Sequence, residues 1–170
     1  MKNSKFLFIG LLSFGLAFAS CSSDDDNDNT PPPPPPVHEI VGTWEAYDVS
    51  AVLAGVGITG ITAKFSSNNT YVVTSHADGA ATVLEGTYTL SEDASDEGIY
   101  AIKLDQSSPN SLTSEGIFKI FEASPDSLWY EVAQTDPGIT GVTPPTVEGG
   151  FGSTSGGAFG VMNIQKYHRQ

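Results

Sequence analysis

The residues of this 170-residue chain that commonly perform catalysis are few and lie far apart. The three histidines, His38, His76 and His168, do not stand in the His-Glu-x-x-His pattern that holds a catalytic zinc ion. The chain also lacks the Gly-x-Ser-x-Gly segment that presents a serine nucleophile in many hydrolases. We therefore predict no catalytic residues, no metal site and no cofactor, and we expect that the protein is not an enzyme.

Two acidic segments have the composition of calcium ligands without the required spacing. Asp24 to Asp28 resembles the start of a calcium-binding loop, which needs a glycine at its sixth position and a glutamate at its twelfth. Those positions hold Asn29 and Pro35. The second segment, residues 92–97, falls in a predicted turn, where a solvated loop tip is the alternative to a calcium contact.

Cys21 is the only cysteine of the chain, and its surroundings indicate a covalent role. A basic start precedes an apolar run over residues 6–19, which is shorter than the roughly 20 residues that span a membrane. This arrangement is typical of a cleaved signal peptide. The tetrad Phe18-Ala19-Ser20-Cys21 resembles the lipobox of bacterial lipoproteins. The resemblance implies a signal peptide over residues 1–20 and lipidation of Cys21; an ordinary signal peptide that leaves a free thiol is the alternative.

Residues 21–36 have the composition of an acidic and polyproline tether. Pro31 to Pro36 favour a polyproline II helix, which extends roughly 19 Å at ~3.1 Å per residue. The Ser-Asp-Asp-Asp segment after Cys21 resembles the export signal of Bacteroidota surface lipoproteins, and this implies a lipid-anchored protein on the outer membrane, at the cell surface. The periplasmic face is the alternative. The formal net charge of −13 predicts that the protein does not bind nucleic acid.

The remaining residues, 37–170, have the pattern of a single all-β domain. Turn-forming residues recur about every ten positions, with aromatic and β-branched residues between them. Residues 51–55 are the one segment expected to form a helical turn. Eight antiparallel strands in sequence predict an up-and-down barrel, which encloses either packed side chains or one small ligand. The predicted strands cover residues 40–49, 58–66, 69–76, 81–90, 98–105, 115–122, 127–134 and 158–169.

Short motifs connect this predicted barrel with a known family. Gly42-Thr43-Trp44 matches the Gly-x-Trp signature of lipocalins, and residues 64–71 and 85–90 resemble the lipocalin-like domains of bacterial lipoproteins. The resemblance covers residues 39–170 and implies a lipocalin-like β-barrel. In lipocalins the signature tryptophan closes the barrel floor and an arginine near the last strand stacks on it.

For this chain the resemblance implies that Arg169 stacks on Trp44, with Gly42 beside them as part of the floor. Lys166 as the partner, or an exposed Arg169, are the alternatives. Lipocalins commonly bind small apolar molecules, so the resemblance also implies a cavity for a small hydrophobic ligand. Simple core filling is the alternative role of its candidate lining residues, which are Phe65, Tyr71, Tyr88, Tyr100, Trp129 and Tyr130.

Residues 135–157 form a long segment that is rich in glycine and proline. Loops longer than about 12 to 15 residues are usually functional or disordered. The glycines lack the Gly-Lys-Ser/Thr ending of a nucleotide-binding loop. We expect Phe151 either to cap the barrel mouth or to contact a partner, and a flexible loop is the alternative.

The chain supports two leading hypotheses from different functional classes. The first is a lipid-anchored surface protein whose barrel binds a small hydrophobic molecule or a nutrient fragment. The second is a structural or interaction subunit of a cell-envelope complex, with a filled barrel and a binding surface on loop 135–157. An enzyme whose site is invisible in the sequence is a third. A barrel without a cavity would exclude the first hypothesis.

Overall fold

The structure is a computed structural model that describes residues 37–170. The predictions for the signal peptide of residues 1–20, for lipidation of Cys21 and for the tether of residues 21–36 lie outside the described residues. Within residues 37–170, no helix has the length and apolar character needed to cross a membrane.

Over residues 37–170 the chain forms a closed barrel in which every strand is antiparallel to its neighbours in sequence. The last strand pairs with the first, so no strand edge is left open to pair with another chain. This confirms the prediction of an all-β, eight-stranded up-and-down barrel. The strands are β1 (Gly42–Asp48), β2 (Ile58–Phe65), β3 (Thr70–Ala77), β4 (Ala80–Leu90), β5 (Tyr100–Ser108), β6 (Leu112–Phe121), β7 (Ser127–Asp136) and β8 (Gln165–Arg169).

The helical turn predicted between the first two strands is α1 (Ala51–Gly55). Its first turn is capped by the hydroxyl of Ser50, which accepts a hydrogen bond from the Leu53 amide at 3.4 Å. Short side-chain caps of this kind satisfy amides that a helix start leaves without partners. A tight turn joins β2 to β3, with Asn69 in the left-handed conformation at φ 61°.

The eighth strand is shorter than predicted. The sequence pattern placed it over residues 158–169, but extended pairing begins only at Gln165. Residues Thr154–Gly157 and Gly160–Asn163 form two 3₁₀ turns instead. Gly160 adopts φ 49°, a left-handed conformation that interrupts an extended strand.

Alternation along the strands separates an inward face from an outward face. On β2, Ile61, Ala63 and Phe65 are buried, whereas Lys64 between them is exposed. These three inward side chains belong to the hydrophobic core of the barrel. Trp44 of β1 is completely buried in this core.

The two ends of the barrel differ in what closes them. We call the end that holds Trp44 the floor; the links from β2 to β3, from β4 to β5 and from β6 to β7 lie there. The opposite end, here the mouth, carries α1 and the long link from β7 to β8. Contacts between α1 and the 3₁₀ turn Gly160–Asn163 place these two segments side by side at the mouth.

Candidate functional site

The barrel floor is closed by a stacked pair of side chains. The Arg169 guanidinium lies 4.2 Å from the centre of the Trp44 ring. The indole nitrogen of Trp44 donates a hydrogen bond to the carbonyl of Ile40 at 2.8 Å, so this buried polar group is satisfied. Arg169, which the lipocalin resemblance implied, thus occupies the position over the ring. The alternative partner, Lys166, lies on the outer wall, 5.3 Å from the centre of the Trp129 ring.

Further bonds hold Arg169 in this position. Its guanidinium donates to the Asp126 carboxylate at 3.0 Å and to the carbonyls of Val41 and Glu39 at 3.0 and 2.7 Å. Gly42 leaves the space that the guanidinium occupies, because a Cβ atom there would lie 2.7 Å from Arg169 Nη1. The floor is therefore a rigid closure rather than an entrance.

Above this floor the barrel encloses a cavity of about 410 Å³. Its volume falls within the ~300 to 1,000 Å³ that is usual for small-molecule sites. Side chains from the strands and from α1 line it, and most of them are apolar. The apolar part of the lining consists of Leu53, Val56, Ile58, Ile61, Ala63, Phe65, Val73, Leu84, Leu104, Leu112, Leu128 and Val132.

Polar groups occupy a few places in the cavity wall. The lining includes three tyrosines, Tyr71, Tyr130 and Tyr167, together with serine and glutamine side chains. The Tyr167 hydroxyl donates a hydrogen bond to Gln165 Oε1. Within residues 37–170, the hydroxyls of Tyr71 and Tyr130 have no hydrogen-bond partner, although these residues are only 4% and 8% exposed. Both hydroxyls are therefore free to bind a group placed in the cavity.

Burial raises the pKa of these tyrosines above the ordinary value of 10, which already leaves a phenol neutral at pH 7. Removal from water, with a smaller contribution from Asp105, raises the pKa of Tyr71 to about 12. Burial likewise raises the pKa of Tyr130 well above its ordinary value, with smaller contributions from Tyr167 and Tyr71. At neutral pH the wall thus presents neutral phenols, each of which can donate one hydrogen bond.

The structure places the predicted lining residues in two groups. Phe65, Tyr71 and Tyr130 line the cavity. Tyr88 and Tyr100 do not: the Tyr88 hydroxyl donates to the Ser66 carbonyl at 2.9 Å, and Tyr100 stacks on Phe118 near the floor. Both rings fill the lower core, below the space that a ligand could use.

The prediction for Trp129 is also corrected. Leu128 and Tyr130 point inward on β7, so alternation turns Trp129 to the outer wall. There its ring packs against Phe151 and Phe121, with ring centres 5.7 and 5.2 Å away. Trp129 therefore anchors the long loop to the barrel and does not line the cavity.

Sequence reasoning missed several residues that do line the cavity. Gln165 and Tyr167 face inward on β8, and Gln106 does so on β5. The inward alternation of residues 165, 167 and 169 could have identified the first two. Leu53 and Val56 belong to the short helical turn and its cap, where strand periodicity gives no information.

Comparisons with protein-family models, with curated protein sequences and with solved structures find no match for this chain. The resemblance to lipocalins therefore rests on the quoted motifs, and the barrel with its Trp44–Arg169 floor is compatible with it.

The glycine-rich loop lies against the outer wall, held by one buried carboxylate. Glu131 of β7 is completely buried and accepts hydrogen bonds from the amides of Gly152 and Thr154, at 2.6 and 3.3 Å. The Thr154 hydroxyl donates to the same carboxylate. Phe151 thus packs on the outer wall against Trp129 and does not cap the mouth. A protein partner for loop 135–157 stays a prediction.

Among residues 37–170, no three His, Cys, Asp or Glu side chains come together as metal ligands. The three histidines lie apart. His38 packs edge-on against Tyr100 near the floor, and the ring of His168 stacks on Tyr47 on the outer wall. His76 is exposed on β3. The arrangement that the described residues do form is a mostly apolar cavity whose wall includes Tyr71 and Tyr130.

Proposed function

We propose that this protein is a lipid-anchored carrier whose lipocalin-like barrel binds a small hydrophobic molecule. The cavity of about 410 Å³ above the Trp44 floor is the single observation that carries the proposal. Its mostly apolar wall favours a ligand with a large hydrocarbon surface, since each square ångström of apolar area removed from water contributes about 25 cal/mol.

The shape of the barrel supports retention of a ligand. Arg169 and Trp44 close one end, so a molecule must enter and leave at the mouth. Leu53 and Val56, from α1 and its cap, line the cavity at that end. A bound molecule would therefore have its hydrocarbon in contact with the strands and with α1 together.

The proposed location derives from the sequence around Cys21. Acylation of this cysteine would anchor the domain in the outer membrane, and the acidic segment that follows favours display at the cell surface. Such anchors hold firmly when two or more acyl chains are present. A tethered carrier next to a membrane is well placed to take up apolar molecules that water dissolves poorly.

The alternative is a non-enzymatic subunit of a cell-envelope complex with a filled barrel. A cavity of this volume weighs against a filled barrel. The anchored loop would still offer a fixed surface to a partner, but no feature of the described residues selects one. We therefore favour the carrier.

A matched pair of variants on β3 tests the carrier function. Ser75 lines the cavity, and the next residue, His76, is exposed. Ser75→Phe places an aromatic ring in the cavity, whereas His76→Phe places the same ring outside. The measurement is binding of the neutral fluorophore N-phenyl-1-naphthylamine to full-length protein in phosphatidylcholine vesicles, with protein-free vesicles as background.

Binding by the wild type and by His76→Phe, with a loss of at least tenfold in Ser75→Phe, would support the carrier function. Circular dichroism must show that Ser75→Phe retains the β structure. Equal fluorescence from all three proteins and from protein-free vesicles would exclude a cavity that admits small apolar molecules.

A further inference from the structure

Resting on that proposed function, we infer that the ligand is an uncharged molecule, mostly hydrocarbon, whose ester, ketone or alcohol oxygen binds the hydroxyls of Tyr71 and Tyr130. The inference excludes a fatty-acid anion as the preferred ligand. It follows from which groups line the cavity and which of them lack a partner.

The first observation is the charge of the cavity wall. Within the described residues, no Lys, Arg, His, Asp or Glu side chain lines the cavity. Arg169 lies below the Trp44 ring, where Asp126 and two backbone carbonyls take up its donors. A carboxylate that entered the cavity would lose its water without gaining a cation, which opposes binding. The net charge of −13 also disfavours an anion.

The second observation is the set of free donors. Among the described residues, His38 Nε2 is the one fully buried side-chain polar atom without a hydrogen-bond partner, so tyrosine hydroxyls without a partner are reached from the open space of the cavity. Tyr88 and Tyr167 satisfy their hydroxyls within the barrel. Tyr71 and Tyr130 do not within residues 37–170, and both residues line the cavity. A ligand oxygen that accepts a hydrogen bond would satisfy them.

The third observation is the protonation of these phenols. Burial raises the pKa of Tyr71 to about 12 and raises that of Tyr130 well above its ordinary value. Both therefore keep their protons at neutral pH and bind a ligand as donors. Since they do not ionise there, they also offer no negative charge that would attract a cationic ligand.

The positions of the two tyrosines and of the apolar residues predict how the ligand is oriented in the barrel. Tyr71 stands near the floor end of β3, and its ring lies 6.4 Å from that of Phe65. The ring of Tyr130 lies 6.5 Å from Phe65 as well. The wall towards the mouth includes Leu53, Val56 and Ile58. The ligand oxygen would thus lie deep in the barrel, with the hydrocarbon directed towards the mouth.

The test compares three probes of equal chain length: methyl dodecanoate, dodecanoate and dodecane. Full-length protein in detergent micelles is incubated with each probe at pH 7.5, and native mass spectrometry measures the occupied fraction. Ser75→Phe in the same micelles gives the background. The double variant Tyr71→Phe/Tyr130→Phe removes both hydroxyls and preserves the rings.

We expect the ester to bind at least tenfold more tightly than the carboxylate. The double variant should weaken ester binding about three- to tenfold for each hydrogen bond lost, and dodecane binding should change less than twofold. Each probe partitions into the micelles to the same extent with both proteins. The ratio of the affinities of the wild type and the double variant for one probe therefore reports the contribution of the two hydroxyls. The wild-type comparison of ester with carboxylate needs no variant and holds even if the double variant is unstable.

Two results would overturn the inference in different ways. Carboxylate binding as tight as ester binding, with both above background, would refute the uncharged ligand and leave the carrier function intact. Failure of all three probes to exceed the Ser75→Phe background would refute the carrier function as well.

Discussion

The guanidinium of Arg169 lies 4.2 Å from the centre of the Trp44 ring and joins the last strand of the barrel to the first. The two residues are also paired in the β1–β8 register. The Gly-x-Trp motif at residues 42–44 thus has a local physical explanation. Trp44 supplies the buried ring, and Gly42 supplies the space in which the guanidinium fits.

Gly42→Ala should destabilise the domain by about 2 kcal/mol, because the new Cβ would clash with Arg169 and the backbone φ of 149° strains an alanine. Urea denaturation followed by tryptophan fluorescence measures the change. Gly55→Ala is the control, since its Cβ would meet no atom within 4 Å. Equal stability of Gly42→Ala and wild type would contradict this account of the motif.

Arg169→Ala should cost about 2 to 3 kcal/mol, because it removes a cation–π contact worth about 0.5 to 2 kcal/mol and leaves carbonyl groups without donors. Lys166→Ala, which removes a half-buried cation paired with Asp48 on the outer wall, should cost less than about 1 kcal/mol. The double variant Gly42→Ala/Arg169→Ala should be more stable than the sum of the single effects predicts, since removing Arg169 removes the clash. Strict additivity in urea denaturation would argue against direct contact.

Glu131→Ala should release the glycine-rich loop from the wall. The substitution removes the acceptor of three hydrogen bonds in a fully buried site, and the expected cost is about 3 kcal/mol. Hydrogen exchange at the amides of Gly152 and Thr154 should accelerate at least tenfold while the strands stay protected. Glu148→Ala, on an exposed residue of the same loop, is the control. Unchanged exchange at both amides would show that the carboxylate does not hold the loop.

His38 should make the domain less stable in mild acid. Burial lowers its pKa below the ordinary 6.5, against an opposing contribution from the Glu39 carboxylate, and within residues 37–170 its Nε2 has no hydrogen-bond partner. A proton therefore binds the unfolded chain more readily than the folded one. The stability is fully present above pH 6.5 and falls as the pH drops from there towards the lowered pKa.

Urea denaturation at pH 7.5, 6.5 and 5.5 checks this dependence. His38→Gln should reduce the loss of stability between pH 7.5 and pH 5.5. His76→Gln, on an exposed residue, should leave that loss unchanged. Asp126 affects stability at lower pH. The Ala123 amide and then Arg169 lower the pKa of its carboxyl, so its contribution to the free energy of unfolding is lost only below pH 3.8. A wild-type stability that does not change from pH 7.5 to 5.5 would contradict the role of His38.

The sequence predicted the architecture well where one face of a strand is apolar and the other polar. On β2, Ile61, Ala63 and Phe65 alternate with polar residues in the sequence, and all three face inward in the structure. On β7 the adjacent residues Trp129 and Tyr130 are both predicted to line the cavity, and only Tyr130 does, because the loop covers the outer wall and both faces of this strand carry large side chains. Period-two patterns cannot assign a face when both faces are buried.

The candidate site was predictable only in part for the same reason. Phe65 and Tyr71 lie on strands whose alternation is readable, and both line the cavity together with Tyr130. Leu53 and Val56 reach it from a helical turn whose placement depends on the tertiary fold. The carboxylate of Glu131 is separated from its partner Thr154 by 23 positions, and no local pattern links them.

Native mass spectrometry of the full-length protein, purified from the membranes of its own cells, tests the central claim most directly. We predict a population that carries one small molecule, which leaves the protein as an uncharged species and is absent from the Ser75→Phe variant. Protein without any bound molecule in both samples, together with no uptake of N-phenyl-1-naphthylamine by the wild type, would contradict a barrel that carries a ligand.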